Sequence, residues 1–358
     1  MKLRAALLDR IHDKEVPVRV QAVIGLSKLS GSEEPSEVVE GEQTVAEVLI
    51  DTLAHDPSPY VQPLQLIIHL CLKLNLSRDV RRAVLLNIPL NPATTLAPIL
   101  ARTRDTDTTI RKLVYSAILE PNTQQGDAIG TTHPRALTIA QREVIVRNGL
   151  GDREPSVRAA AGTLVGTWVD VVGDSKGKVE DGEEKIENGV VALLKMFDLG
   201  ESTVAEDALL SVFATRVDIF DNIEFGSTFA WIYTCLWADV FAADKFWSAL
   251  TPETAFLARV FVEHCIATKD EARLEAALPV VTALAFRIQT SYNDLLDDIQ
   301  AEEEERVIRG VVDDDEMVRR EDERINKEFV ISEMLKLAVN LDYADEIGRR
   351  KMFQLVRK

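Results

Sequence analysis

The sequence predicts an all-α protein built from repeated helix–turn–helix units, and three observations lead to this prediction. Of the 358 residues, 46% are hydrophobic, so the chain can bury a core, and its 17 glycines and 13 prolines are ordinary for a helical protein. Apolar residues recur at helical spacing in many segments. A short pattern also recurs along the first half: Asp, four variable residues, a β-branched residue, then Arg.

The pattern appears three times without interruption. Its copies are Asp13–Arg19, Asp105–Arg111 and Asp152–Arg158, and each continues into an apolar helical stretch. Another amphipathic stretch precedes each copy, so the unit is a helix, a tight turn and a second helix. We predict that the Asp caps the second helix, and that the Arg reaches an Asp carboxylate in its own or the neighbouring repeat.

A further copy is interrupted. Its turn begins at Asp56, whereas the Val-Arg pair that should follow is Val80-Arg81. Removing 19 residues would restore the spacing, so segment 60–78 is interpreted as an insertion. Two origins stay open: an extra apolar helix, or the translation of a retained intron. The second is favoured, because a half-polar insert at a tight turn would have to find a new partner surface.

The repeat resembles the HEAT repeats of α-solenoid proteins, whose units of about 40 residues carry a turn Asp and a Val-Arg pair at this spacing. Longer stretches, among them Arg147–Arg158 and Glu328–Arg357, resemble the CAP-G family of HEAT-repeat, non-SMC condensin subunits. The resemblance covers most of the chain in the right order. Family members are considerably longer, so the chain is expected to be partial.

The resemblance implies an α-solenoid without enzymatic activity. Members of the family bind the kleisin subunit of condensin, meet the SMC subunits indirectly, and hold double-stranded DNA in a basic groove during chromosome condensation. The implied location is the nucleus and condensed chromosomes, with the cytoplasm as a location outside mitosis. From architecture alone, a nuclear transport receptor or scaffold that binds peptide cargo without DNA is the alternative.

The net charge of −18 does not exclude a nucleic-acid partner, because the charges are unevenly distributed. Residues 1–160 contain 19 basic and 19 acidic residues, so the whole excess lies in the remainder. Segment Arg78–Arg158 holds 12 basic and 8 acidic residues. On charge alone, a basic strip and a mixed solvated surface are equally compatible with this surplus.

The basic residues of the repeats fall into two groups. Those of the Asp–Arg pattern are predicted to form a structural ladder, which consists of Asp13, Arg19, Asp56, Arg81, Asp105, Arg111, Asp152 and Arg158. Residues beside the ladder or in connections are freer to meet phosphates. The DNA-binding candidates are therefore Arg82, Arg102, Arg104, Lys112, Arg135 and Arg142.

Aromatic residues crowd one segment of the second half. Phe229, Tyr233, Trp237 and Phe241 are spaced by four and share one helical side. Packing between repeats is the simpler interpretation of this side, and a docking surface for the kleisin is the alternative.

The predicted organisation runs in five segments. HEAT repeats occupy 1–172, an acidic loop 173–188, degenerate HEAT-like helices 189–299, an acidic linker 300–322 and further HEAT helices 323–358. The acidic segment 300–322 is interpreted as a solvated helix or linker, and the alternative is an acidic element that repels DNA from the wrong face or meets a basic segment of the kleisin.

No catalytic or cofactor chemistry is predicted. The sequence has no GxxxxGK[ST], HExxH, GxSxG or GxGxxG motif, and its five histidines lack metal-ligand spacing. Three cysteines without a CxxC favour a reducing compartment over a disulfide framework. No apolar run reaches the roughly eighteen residues of a membrane helix, so no membrane partner is expected.

Overall fold

The computed structural model describes residues 2–30, 43–54, 78–126, 128–173, 189–200, 203–216, 250–309 and 314–357. Several predicted features lie outside the described residues: Asp56, positions 60–77 of the insertion, positions 174–188 of the acidic loop, and the aromatic residues Phe229, Tyr233, Trp237 and Phe241. The chain divides into two compact units, Met1–Val171 and Val172–Lys358.

The first unit is built from short helices. In chain order they are α1 Lys2–Arg10, α2 Val16–Ser30, α3 Val45–Ala54, α4 Arg78–Asn87, α5 Leu96–Ala101, α6 Thr108–Leu113, α7 Ile139–Leu150 and α8 Pro155–Gly173. Helix α6 continues as a π-helical turn, Val114–Leu119, and 3₁₀ turns occupy Arg102–Arg104 and Pro134–Ala136. A small antiparallel hairpin pairs β1 Gln124–Gln125 with β2 Ala128–Ile129.

The helices of this unit pack in two layers. Helix α1 packs on α2, and α3 packs on α4, which makes the two helices of each repeat neighbours. The second helices also stack, α2 against α4 and α4 against α6, while the first helices stack α3 against α5 and α5 against α7. Because α4 contacts both α2 and α6, and α5 contacts both α3 and α7, the arrangement is that of HEAT repeats in an α-solenoid.

One glycine lets three elements approach closely. A Cβ on Gly149 of α7 would lie 2.5 Å from the Cβ of Ala161 in α8 and 2.8 Å from the ring of Tyr115 in the π-helical turn. The Tyr115 hydroxyl donates a hydrogen bond to the Ile145 carbonyl at 3.0 Å. Burial raises the pKa of Tyr115, so the phenol stays protonated and serves as a structural donor.

The second unit has longer helices. They are α9 Gly189–Leu194, α10 Val204–Thr215, α11 Pro252–Thr268, α12 Glu271–Ala277, α13 Val281–Arg309, α14 Asp314–Ala338 and α15 Glu346–Val356. Helix α11 packs against α14, and α13 packs against both α14 and α15. This unit contains turns of the first unit's type that the sequence pattern missed. Asp198 accepts the Gly200 N–H at 3.0 Å and Asp342 accepts the Ala344 N–H at 2.9 Å, but no Arg follows either Asp six residues later.

The segment 300–322, predicted as an acidic linker, is largely helical. Residues 301–309 end α13 and residues 314–322 begin α14. Helix formation follows from composition, since Glu and Arg have good helix propensity and opposite charges stand four residues apart, as in the 2.6 Å pair of Arg320 with Glu316. The described residues of this segment are therefore helical.

The described ranges contain neither a membrane-spanning helix nor a metal centre. No helix there is both long and apolar enough to cross a membrane. Within the same ranges, no group of three or more His, Cys, Asp or Glu side chains is arranged to hold a metal ion.

Candidate nucleic-acid interface

The turn aspartates have a role slightly different from the predicted one. Each accepts, at 2.9 to 3.0 Å, the backbone N–H two residues further on, with the pairs being Asp13 and Glu15, Asp105 and Asp107, and Asp152 and Glu154. The helix itself begins one residue later, so the Asp closes the turn before it. In the middle repeat the N-cap of α6 is Asp107, which accepts the N–H groups of Thr109 and Ile110.

The arginines of the pattern join neighbouring repeats. Arg81 makes two parallel hydrogen bonds to Asp105, from Nε at 3.1 Å and from Nη2 at 3.0 Å. Arg111 binds Asp152 in the same way, at 2.6 and 3.0 Å. In both pairs the carboxylate belongs to the following repeat, whereas Arg111 reaches only backbone carbonyls of its own turn, such as that of Asp105 at 2.9 Å.

These paired charges are partly or wholly removed from water. The side chain of Asp105 is fully buried and that of Arg81 is 8% exposed. The Arg111 guanidinium lowers the pKa of Asp152, and Asp152 in turn raises the pKa of Arg111. Both groups are therefore charged at neutral pH, and the bidentate geometry fixes the register between repeats.

The prediction that Arg102 and Arg142 bind DNA is wrong, because their guanidinium groups are buried. Arg102 is 9% exposed and lies 3.4 Å from the same Asp105 carboxylate that Arg81 binds. Arg142 is 7% exposed, and its Nη1 donates to the carbonyls of Pro134, at 2.6 Å, and Leu137. Burial lowers the pKa of Arg142. Each side chain stabilises a turn and cannot reach a phosphate in this conformation.

Three of the remaining candidates lie near the ladder. Arg82 and Lys112 are exposed and directly follow the ladder residues Arg81 and Arg111, on the stacked helices α4 and α6. Arg104 is exposed at the end of its 3₁₀ turn, and its Nε donates to Asn148 Oδ1 at 3.1 Å. Arg104 and Lys112 therefore flank the turn between α5 and α6, and Arg82 is the fifth residue of α4, as Lys112 is of α6.

Arg135 is exposed but stands elsewhere. Asn148, which holds Arg104, is near the C-terminus of α7, whereas Arg135 precedes its N-terminus. The 12 residues of α7 separate the two ends by about 18 Å at 1.5 Å per residue. Arg135 is consequently apart from the other three candidates.

Arg158 differs from the other ladder arginines. Its Nη1 donates to the carbonyls of Asp152 and Arg153 at 2.7 and 2.8 Å, as Arg19 does to Asp13 and Lys14. It is exposed, and among the described residues its Nε and Nη2 have no carboxylate partner. Its planar donor pair thus faces solvent, and it joins Arg82, Arg104 and Lys112 in what we call the turn-edge cluster.

The second unit contains a different buried charge. Arg259 of α11 is 7% exposed and binds carboxylates of three helices: Glu206 of α10 at 3.0 Å, Glu263 of α11 at 2.6 Å and Glu333 of α14 at 2.5 Å. Its guanidinium also lies 5.1 Å from the centre of the Phe256 ring. No spacing in the sequence predicts this group, because Glu206 and Glu333 are 53 and 74 residues from Arg259 along the chain.

Comparison with known proteins identifies relatives along nearly the whole chain. No protein-family model matches. Condensin complex subunit 3 of Schizosaccharomyces pombe is 30% identical over 98% of this chain, and the Saccharomyces cerevisiae protein of that name is 26% identical over 98%. The Xenopus laevis protein is 27% identical over the full chain. The chain spans 30%, 28% and 28% of these three relatives' own lengths.

A solved structure is similar as well. The crystal structure of the S. pombe condensin Cnd3-Cnd2 subcomplex matches with a TM-score of 0.67 and 28% identity, over 98% of this chain and 34% of that chain. These comparisons confirm the resemblance to the CAP-G family and the HEAT-repeat architecture that the Asp–Arg pattern predicted. Over the part of that protein with which it aligns, the chain is similar in sequence to condensin complex subunit 3 and similar in fold to the solved Cnd3-Cnd2 subcomplex.

Proposed function

We propose that the chain acts as a non-catalytic HEAT subunit of condensin, which binds the kleisin subunit and holds double-stranded DNA without sequence specificity during mitotic chromosome condensation. Its contact with the SMC subunits would be indirect, through the kleisin, and its place is the nucleus. The relatives named condensin complex subunit 3 and the matched Cnd3-Cnd2 subcomplex support the kleisin partner. They favour this function over that of a nuclear transport receptor.

The turn-edge cluster is the observation that supports DNA binding. Arg82 and Lys112 occupy equivalent positions on stacked helices, each one residue beyond a ladder arginine. Helices packed side by side lie about 8–10 Å apart, and phosphates of one DNA strand advance about 3.4 Å along the axis. Neighbouring repeats therefore offer a cation for about every third phosphate.

The chemistry of the cluster suits phosphate rather than bases. Its side chains come from turns and first helical turns, which contact a duplex from outside its grooves. Arg158 adds a planar pair of donors, the same pair that binds a carboxylate side-on in Arg81 and Arg111. Binding should then depend strongly on salt and weakly on sequence.

The test is neutralisation of three cluster members in the kleisin-bound complex. We expect Arg82→Gln, Arg104→Gln and Lys112→Gln together to reduce the slope of log affinity against log salt by about 2 to 3, because each lost phosphate contact removes about 0.9. Fluorescence anisotropy with a labelled duplex of arbitrary sequence measures this slope at several salt concentrations.

A matched control removes the same charge elsewhere. Arg319, Arg349 and Arg350 are exposed arginines of the second unit, and changing all three to Gln should leave the slope unchanged. Equal slopes for the cluster variant and the unmodified complex would contradict the DNA-binding proposal. Retained kleisin binding by the cluster variant, measured by co-purification, separates loss of DNA contacts from loss of fold.

A further inference from the structure

Asn148, in the last turn of α7, binds two residues of the 3₁₀ turn Arg102–Arg104. Its Oδ1 accepts the Nε–H of Arg104 at 3.1 Å, and its Nδ2 donates to Thr103 Oγ1 at 2.8 Å. The Thr103 hydroxyl donates to the Leu100 carbonyl at 2.7 Å. The three hydrogen bonds form a continuous chain from the backbone of α5 to the guanidinium of Arg104.

The direction of each bond in this chain is fixed by its partners. An arginine Nε–H can only donate, so the amide oxygen of Asn148 has to face it and the amide nitrogen has to face Thr103. A carbonyl can only accept, so the Thr103 hydroxyl donates to Leu100 and accepts from Asn148. Thr103 is 1% exposed, and a hydrogen bond left unmade at a buried group is costly. The Asn148 amide therefore has a single orientation.

The chain holds Arg104 at its Nε, which leaves the outer end of the guanidinium accessible. Arg104 is exposed, and no carboxylate of the described residues forms an ion pair with it. Arg102, in the same turn, is instead buried beside Asp105. A long side chain loses rotamer freedom when it binds a ligand, and it loses less when it is already held in place. Arg104 is thus oriented before any partner arrives.

We propose that Asn148 is a positioning residue for DNA binding, which holds Arg104 at Nε so that its Nη1 and Nη2 groups are available to a phosphate. This inference rests on the proposed function of the turn-edge cluster and adds a residue of the following repeat to it. A neutral amide suits the task, because it orients a guanidinium and leaves its charge uncompensated. The carboxylates bound to Arg81 and Arg111, in contrast, neutralise theirs.

A double-mutant cycle between Asn148→Ala and Arg104→Gln tests the proposal, with a labelled duplex and the kleisin-bound complex in fluorescence anisotropy. We expect Asn148→Ala to weaken DNA binding about fivefold at every salt concentration, since one side chain is no longer held in place. The slope of log affinity against log salt should not change, because the charge of Arg104 remains. In the Arg104→Gln background, Asn148→Ala should have no further effect.

Thr103 provides a second test of the same chain. Thr103→Val removes the group that fixes the Asn148 amide and should weaken DNA binding in the same way, whereas Thr103→Ser keeps the hydroxyl and should retain the affinity. Asn122→Ala is the matched control, because Asn122 donates to the Ile118 carbonyl at 2.7 Å beyond the other end of the π-helical turn. It should leave DNA affinity unchanged. We expect every variant to co-purify with the kleisin.

Two results overturn the proposal. An equal loss of affinity from Asn148→Ala in both backgrounds would show a general disturbance of α7 rather than an effect through Arg104. Unchanged affinity of Asn148→Ala would show that the hydrogen bond to Arg104 does not matter for binding. In both cases a loss of affinity in Arg104→Gln alone would leave the DNA-binding function of the cluster standing, so the two proposals fail separately.

Discussion

The two units use buried arginines in different ways. In the first unit, Arg81 and Arg111 each bind one carboxylate of the next repeat, in the same bidentate geometry, at the same place in the turn. In the second unit, Arg259 binds three carboxylates that belong to three helices. Two of these carboxylates, those of Glu206 and Glu333, are 53 and 74 residues from Arg259 along the chain. The first arrangement is periodic and the second occurs at one point.

This difference explains why the repeat of the first unit can be recognised in the amino-acid sequence. A bond that recurs at each turn constrains the same residue types at the same spacing, so a pattern appears in the sequence. A single cluster such as that of Arg259 constrains each residue once, and no spacing results. The second unit therefore lacks the Asp–Arg pattern and is predicted only as degenerate repeats, although its helices belong to the same α-solenoid architecture.

The largest effect is expected from removing the centre of the second unit's cluster. Arg259→Met leaves Glu333, whose side chain is 1% exposed, beside two other carboxylates without the guanidinium. Breaking a buried ion pair on one side should cost about 3–5 kcal/mol. Hydrogen exchange measured by mass spectrometry should show faster exchange in α11 and α14 and unchanged exchange in α4 and α6.

A control for this change lies in the same unit. Arg273 pairs with Asp270 at 2.9 Å, but its side chain is 31% exposed, so Arg273→Gln should cost less than about 1 kcal/mol. If Arg259→Met and Arg273→Gln perturbed exchange equally, the cluster would not be the centre of the unit's stability.

An intermediate effect is expected in the ladder. Asp105→Asn keeps the side-chain oxygen that closes the turn but removes the charge that Arg81 and Arg102 share, and we expect a loss of about 3 kcal/mol. Asp13→Asn is the matched variant, since Asp13 has the same turn hydrogen bond but its ion pair among the described residues is with Arg10, which is 66% exposed. That change should cost less than about 1 kcal/mol.

The effects of Asp105→Asn and Asp13→Asn are compared by measuring amide hydrogen exchange in α4 and α6. A triple change, Arg81→Met and Arg102→Met with Asp105→Asn, should recover part of the loss, because neither guanidinium is then left beside a neutral side chain and the turn acceptor is kept. Equal destabilisation by Asp105→Asn and Asp13→Asn would show that the turn hydrogen bond, rather than the link between repeats, carries the energy.

The smallest effect concerns pH in the first unit. Burial lowers the pKa of His133 below its usual 6.5, and its Nδ1 accepts the Arg135 N–H at 3.1 Å. The neutral form is thus favoured in the folded state, so its stabilisation is fully present above about pH 6.5 and is lost as pH falls below that value. Exchange of the Arg135 and Ala136 amides, corrected for the intrinsic rate, should accelerate between pH 7 and pH 5.

His133→Asn retains an acceptor for the Arg135 N–H but does not titrate, so it should flatten this pH dependence. His12→Asn is the control, because His12 is exposed and should leave the dependence intact. A dependence that persists in His133→Asn would assign the titration to another group.

The repeat, the turn and the residue types that join one repeat to the next can all be predicted from the amino-acid pattern. These features are local, because a spacing of six residues places Asp and Arg at fixed points of one turn and the start of one helix. Arg81, Arg111, Asp105 and Asp152 consequently lie where the pattern indicates, and only the choice of carboxylate, in the following repeat, needed the structure.

Which charged side chains are exposed to a partner depends on tertiary packing. Arg102 and Arg142 are buried while Arg82 and Lys112 are exposed, although nothing in their local sequence separates the two groups. Arg158 matches Arg111 in sequence but faces solvent on its carboxylate-binding side. Burial is set by the elements that pack on a residue from elsewhere in the chain, and the spacing of neighbours along the sequence does not contain that information.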